Sequence, residues 1–343
     1  MIKRVLSGIT PSGGFLHIGN YFGAVKPHIE LQNSAAETFY FVSDLHALTT
    51  VQNKLQLEEN IRNIVLDYLA LGLDPEKCVF FRQSDVPAHS ELAIILANFV
   101  SFAHMQRMHA YKDKLNKESG LDSINMGLFN YPILMAADIL AYRPDAVPVG
   151  EDQRQHVELT RDIAENFNKV YQQDFFNLPE PLISKATGKL VGTDGNRKMS
   201  KSIGNIISIF SEDDVIKKQI MGCFTDPTRI KPTDPGHIEG NPVFVYHDLL
   251  NNNVGEVSDL KERYRKGLVG DVEVKQKLIS SHNNYFSEAK ARRAKLSADD
   301  SLVKDILATG ANKAAVVAND TLATIREIIG INNRCNCLTL LCR

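Results

Sequence analysis

The chain predicts an α/β fold, a doubly wound parallel sheet followed by an α-helical module. Two observations carry this. In the first half, short apolar runs of strand length alternate with segments of helical periodicity; after Lys198–Ser202 only helical, polar patterns remain. Such strand–helix alternation builds a Rossmann-type sheet with helices on both faces.

Residues 5–7 read as the first strand and 39–43 as the second. Ile61, Ile64, Val65, Tyr68 and Leu71 fall at helical spacing, and Gly72 stops that helix. Residues 78–82 form the next strand, and a helix follows Pro87 to about Val100. Residues 101–129 break the rhythm: Met105, Met108, Lys112 and Lys114 mix with Gly120 and Gly127, and no core face is apparent. Pro132 suits a first helical position and Pro144 a stop, so a helix is expected over 131–143. Val147 opens a buried strand, leading to a helix whose inner face is His156, Leu159, Ile163 and Phe167. Glu158, Arg161, Asp162 and Glu165 lie on its outer face. Further helices are expected over 213–221, 248–251, 254–266, 272–296 and 299–328, around a Pro/Gly/Asp-rich stretch at 225–242. The expected organisation is a catalytic domain over 1–192 with its insertion at about 101–129, a helical part over 193–300, and a last helix and tail over 301–343.

At 343 residues, with 43% hydrophobic residues, the chain has ample core material. A net charge of −2 offers no global attraction to nucleic acid, so any RNA contact rests on local Lys/Arg patches. No apolar run approaches the roughly 20 residues that span a bilayer, and Met1–Val5 leads straight into a strand, leaving no room for a signal peptide. Five cysteines, Cys78, Cys223, Cys335, Cys337 and Cys342, suit a reducing cytoplasm. The last three lack a metal-ligand spacing and a nearby His, so no metal site is assigned.

Two segments carry the chemistry. Ser7-Gly8-Ile9-Thr10-Pro11-Ser12-Gly13-Gly14-Phe15-Leu16-His17-Ile18-Gly19-Asn20 reads as strand, Gly-rich loop and helix start, which turns backbone N–H groups toward phosphate. Lys198-Met199-Ser200-Lys201-Ser202 sets two ammonium groups three residues apart, with Gly192, Gly195 and Gly204 giving the loop freedom to close. Alone, the first is a turn and the second a solvated loop. Together they resemble the HIGH and KMSKS signatures of class I aminoacyl-tRNA synthetases.

Tyr131-Pro132-Ile133-Leu134-Met135-Ala136-Ala137-Asp138-Ile139-Leu140, with Asn20 in place of the second signature His, narrows this to a resemblance to tryptophanyl-tRNA synthetases of bacterial type. It covers about residues 3–330. It implies ATP-dependent activation of L-tryptophan to the adenylate and transfer to tRNA(Trp), with Mg2+ carried by the nucleotide. It also implies a cytoplasmic homodimer joined through the 101–129 insertion, tRNA contact by the 193–300 part, and neither membrane nor DNA as partner.

The chemistry is attack of a carboxylate on the α-phosphorus of ATP, so the protein aligns two anions and stabilises the departing pyrophosphate. His17 and Asn20, about one turn apart, can both donate to phosphate, and Lys198 and Lys201 are the mobile cations. Thr10, Pro11 and Ser12 offer loop backbone, although many bacterial members carry Gln at the first of these. Gly19 leaves room for the nucleotide, and Ser200 and Ser202 complete the second loop. The resemblance places adenine near Leu190 and Met199. It puts Gly150, Glu151 and Asp152 at the ribose and amino-group site, where Gly150 admits the ribose. Gln153 and Leu6 then belong to the tryptophan site.

Tyr131, Met135, Asp138 and Tyr142 share one face of the expected helix. An acid on an apolar face needs a partner. An indole N–H is a donor with no acceptor character, which a carboxylate at Asp138 answers. The competing reading is an Asp held structurally, for instance by Arg143. His46 lines the same pocket or packs its loop, whereas His156 belongs to the core. A tyrosine-activating synthetase and a non-catalytic RNA-binding paralogue remain the alternatives.

Overall fold

The computed structural model describes residues 2–34, 36–108, 111–112, 125–183, 190–299 and 301–331. Its centre is a five-stranded sheet of β1 Arg4–Ile9, β2 Glu37–Val42, β3 Val79–Arg82, β4 Ala146–Pro148 and β5 Glu180–Leu182. The order is β3-β2-β1-β4-β5, and every pairing is parallel. Phe39, Tyr40, Phe41 and Val42 are all buried, as an interior strand covered on both faces requires. β5 has no apolar run and carries Pro181, so nothing in the sequence announces it.

β1 pairs with β2 from Arg4↔Glu37 through Ile9↔Val42, but with β4 only at Val5↔Ala146. Beyond Val5 the two central strands part, and Ser7 Oγ donates to Pro148 O at 3.0 Å. A crevice therefore opens at the carboxyl ends of β1 and β4, where the chain order reverses.

The first-half helices are α1 Ile18–Asn20, which runs through a π-turn at Tyr21–Val25 into α2 Lys26–Gln32, then α3 Asp44–Ala47, α4 Lys54–Leu71, α5 Ala88–Leu96, α6 Phe102–Gln106, α7 Met126–Leu140 and α8 Arg154–Tyr171. Two expectations need correction. α7 begins at Met126, not Tyr131, because Asn125 accepts from Leu128 N at 2.8 Å and caps it there. Pro132 sits inside the helix, which ends at Leu140, so Tyr142 lies beyond it. Met105 and Met108, which seemed to lack a core face, are both buried in the core beside α7. Lys114 and Gly120 of the insertion and Cys335, Cys337 and Cys342 of the tail lie outside the described residues.

The second half supplies α9 Asp213–Met221, α10 Pro242–Leu250, α11 Val254–Arg265, α12 Asp271–Ser297 and α13 Leu302–Ile329. The short helix expected at 248–251 is the end of α10, whose start Asn241 caps by accepting from Val243 N. Ile207, Ile216, Phe244, Leu260, Leu278 and Phe286 share one core with Ile9, Val42 and Val65, so the helical part packs directly against one face of the sheet domain. α13 joins the opposite core, where Ala311, Ala314, Ala318 and Leu322 lie with Phe39, Phe81 and Leu92. No described helix is long and apolar enough to cross a membrane.

One buried ion pair ties the halves together. Asp67 on α4, fully buried, accepts from Arg293 Nε on α12 at 2.6 Å and from Leu16 N at 2.9 Å. Arg293 also donates to Asn63 and lies over the rings of Phe15 and Phe210.

α13 approaches β3 so closely that a Cβ on Gly310 would stand 1.8 Å from Phe80 O. Gly310→Ala is expected to lower stability by about 1–3 kcal/mol, since overpacking forces backbone to shift. Thermal unfolding checks this, and an unchanged midpoint contradicts the close packing.

Candidate active site

The crevice is a cleft of about 690 Å³ between the ends of β1 and β4. Its floor and walls include Leu6, Thr10, Ser12, Asn20, His46 and Tyr131. Met135, Asp138, Gly150, Gln153 and Lys201 face the same space. The strand, loop and helix segments singled out in the sequence thus converge on one cavity.

At one end lie the 17–20 turn and the 198–202 loop. His17 is the N-cap of α1: its Nδ1 accepts from Asn20 N at 3.3 Å, while Asn20 Oδ1 accepts from His17 N at 3.2 Å. This reciprocal cap fixes the turn. It leaves the Asn20 NH2 as the donor group for the cleft. Burial, reinforced by Lys201 and Lys198, pushes the His17 imidazole down to about 4, so it is neutral at pH 7. His17 is itself buried and is not part of the cleft wall. Gly19, expected to leave room for a nucleotide, serves close packing here: its missing Cβ admits the His17 ring at 3.0 Å and Met199 Cβ at 3.3 Å.

The 198–202 loop is drawn against this turn. Ile18 N donates to Ile207 O and Ile209 N to Leu16 O, both at 3.0 Å, which zips the first signature segment to the stretch just after the second. Lys201 Nζ donates to Gly13 O and, at 3.2 Å, to Gly14 O. These glycines adopt φ of 87° and 58°, a left-handed backbone that aims both carbonyls at the ammonium. Lys198 Nζ stands 3.6 Å from Asp152 Oδ1. Partial burial opposes ionisation of Asp152, yet Lys198 draws its carboxyl below the ordinary range. Ser200 Oγ and Ser202 Oγ bond each other at 3.0 Å.

Sequence reasoning missed the organiser of this loop. Buried Asn205 accepts from Ser200 N at 2.8 Å and donates to Lys198 O and Asp194. A Cβ at Gly192 would stand 2.1 Å from Asn205 Nδ2, so that glycine serves close approach. Met199 also departs from its expected place: its side chain is buried in the core, and it meets Leu190 through Met199 N→Leu190 O at 3.0 Å. Neither residue is in the cleft wall. Glu151 turns away onto Arg154 at 2.7 Å. Pro11 O accepts from Asn60, and Thr10 Oγ1 pairs with Ser43 Oγ at 3.1 Å. At Gly150 a Cβ would lie 2.7 Å from Asp152 Oδ1, so its absence lets Asp152 fold back.

At the other end Asp138 stands fully buried beside Leu6, Met135, Ile139 and Val147. Its Oδ2 receives His46 Nε2 at 2.8 Å, and its Oδ1 receives His89 Nδ1 at 2.6 Å. Gln83 Nε2 reaches both oxygens, at 2.8 and 2.9 Å. Burial favours the neutral acid, but the His46 and His89 hydrogen bonds outweigh it and hold the carboxyl down to about 2. Arg143 is not its partner; it stacks on Phe175 and lies 3.9 Å from Asp320. Tyr131 OH bonds buried His156 at 2.6 Å, so His156 is a core residue that supports a cleft residue. Gln83 and His89 carried no periodic signal and were not foreseen.

A family model described as tRNA synthetases class I (W and Y) matches residues 3–287. The chain belongs to this family of class I tRNA synthetases. The tryptophan–tRNA ligase of Fusobacterium nucleatum is 46% identical over 330 residues, covering 96% of this chain and 98% of that protein. That of Treponema pallidum is 42% identical over 334 residues, covering 96% and 98%. The crystal structure of tryptophanyl-tRNA synthetase from Campylobacter jejuni complexed with ADP and tryptophan superposes with a TM-score of 0.86 at 41% identity, covering 95% of this chain and 99% of that one. The synthetase fold expected from the sequence, a parallel nucleotide-binding sheet with a helical module, is thus the observed one.

Lys201→Ala is expected to slow adenylate formation by about 10²-fold, as loss of one transition-state donor does, with little change in amino-acid affinity. Stopped-flow kinetics separates the two, and a loss confined to affinity contradicts this role.

Proposed function

We propose that the cleft activates L-tryptophan with ATP to tryptophanyl-adenylate, and that the protein transfers the aminoacyl group to tRNA(Trp), releasing AMP and diphosphate. The observation that carries this reading is a buried, ionised carboxylate, Asp138, beside the apolar side chains of Leu6, Met135, Ile139 and Val147 in a cleft whose far end holds Lys201 and Asn20. A wide apolar slot with one anionic acceptor suits an indole N–H, whereas a phenol hydroxyl calls for both a donor and an acceptor.

In this reading Met135 and Leu6 face the indole, and Tyr131, His46 and Gln153 close its surroundings. Asp152 accepts from the ribose or the substrate ammonium. The backbone of Thr10, Pro11 and Ser12 lies along the phosphates, which arrive with Mg2+. Asn20 and Lys201 meet the departing pyrophosphate oxygens, and Lys198 leaves Asp152 to join them. Those contacts strengthen as charge builds on the leaving group, so they act on rate more than on ground-state binding. The tryptophan carboxylate supplies the nucleophile, so no side chain need do so.

The helical part from α9 to α12 offers the tRNA surface. The dimer contact is placed at the 101–129 insertion and its flanks, where Phe102 and Met126 remain exposed beside the buried methionines. Sedimentation is expected to give a dimer, and an active monomer contradicts that placement.

Tryptophan-dependent pyrophosphate exchange into ATP, run beside tyrosine and phenylalanine, tests the function; exchange with tyrosine alone overturns it. Asp138→Ala is expected to cost about 1–3 kcal/mol in tryptophan binding, the penalty of an unpaired buried donor. The variant should also lose discrimination against benzothienyl-alanine, which lacks that donor. The chain contains no Trp, so ligand fluorescence reports binding directly. Equal discrimination by both proteins assigns Asp138 to structure.

A further inference from the structure

Behind Asp138, on the side away from the cleft, lies a buried hydrogen-bonded pair that the proposed chemistry does not use. His89, at the start of α5, is fully buried, and its Nε2 stands 2.8 Å from Tyr142 OH. Tyr142 is equally buried, packed on Phe39 and Phe81. Neither residue lines the cleft. A buried hydroxyl needs an acceptor, and His89 Nε2 is the partner the structure gives it. With Tyr142 donating to Nε2, that nitrogen is an acceptor, so the ring N–H is on Nδ1, aimed at Asp138 Oδ1.

The donors around Asp138 therefore differ in kind. A carboxylate offers about four acceptor positions, and here they are occupied by His89, His46 and a doubly shared Gln83. His46 lines the cleft and touches Oδ2, so an incoming donor can displace it. His89 has no such exit. The geometry points to Tyr142 and His89 as positioning residues for amino-acid specificity: Tyr142 sets the tautomer of His89, and His89 pins one oxygen of Asp138 so that the other faces the substrate's N–H. This rests on the reading of Asp138 as the indole acceptor.

Pyrophosphate exchange with tryptophan and with benzothienyl-alanine tests the pair, alongside thermal unfolding. Tyr142→Phe removes one oxygen at nearly constant volume. It should raise the tryptophan KM about fivefold, the factor a typical hydrogen bond contributes, with kcat nearly unchanged. The tryptophan-to-analogue preference should narrow by the same factor. His89→Gln, whose amide keeps a donor and an acceptor, should restore most of the preference that His89→Leu loses. If the Leu variant does not fold, Tyr142→Phe and His89→Gln decide. A native preference in Tyr142→Phe, whatever its melting temperature, overturns the positioning role, provided Asp138→Asn changes the preference. If Asp138→Asn also leaves it native, the acceptor reading of Asp138 falls, and this inference with it.

Discussion

The nucleotide end of this protein depends on a single buried anion. Asp67 takes the N–H of Leu16 on one oxygen and the guanidinium of Arg293 on the other. Burial raises its pKa, and Arg293 and the Leu16 N–H oppose that rise. An anion in such a place is tolerated only while paired and hydrogen-bonded. The pairing is thus a condition on three segments at once: α4 must be formed, α12 must be docked, and the Gly-rich loop must follow its observed path into His17. When they do, Ile18 and Leu16 meet the 207–209 segment, and Lys201 reaches the carbonyls of Gly13 and Gly14. The two signature segments are brought together by backbone bonding and this clamp, not by attraction between their own side chains.

The opposite end of the cleft follows a different rule. There the sheet helps hold a buried carboxylate: α7 delivers Asp138, while Gln83 and His89 come from the turn and helix that follow β3, and His46 from α3, which follows β2. Three connections on the same side of the sheet converge on one carboxylate. The crevice between β1 and β4 separates this polar knot from a loop whose two cations rest on the carbonyls of Gly13 and Gly14 and on the Asp152 carboxylate.

Much of this was legible in the sequence, for reasons that differ by residue. His17, Asn20, Lys198 and Lys201 stand in short contiguous strings, so their association needs no knowledge of distant contacts. Asp138 announced itself as an acid on an apolar helical face. Gln83 and His89 did not, because each acts on a residue far away in the chain; Asn205 acts within its own loop, but a lone Asn there repeats with no helical or strand period. Pro132 misled, since its usual place at a helix start hid the cap at Asn125. Met105 and Met108 looked surplus only because the core they fill is assembled from segments that lie outside their own.

The placement of α13 bears on how the polypeptide comes to be folded. β3 is one of the two outer strands of the sheet, and an uncovered outer strand is a template for pairing with other chains. Its cover is a helix made of residues 302–329, which the ribosome delivers after every other element described here. While α9 to α12 are being synthesised, β2 and β3 exist with that flank open. The nascent chain therefore passes through a long interval in which it is most exposed to aggregation, and the arrival of Gly310 and the Ala311, Ala314 and Ala318 stripe closes it.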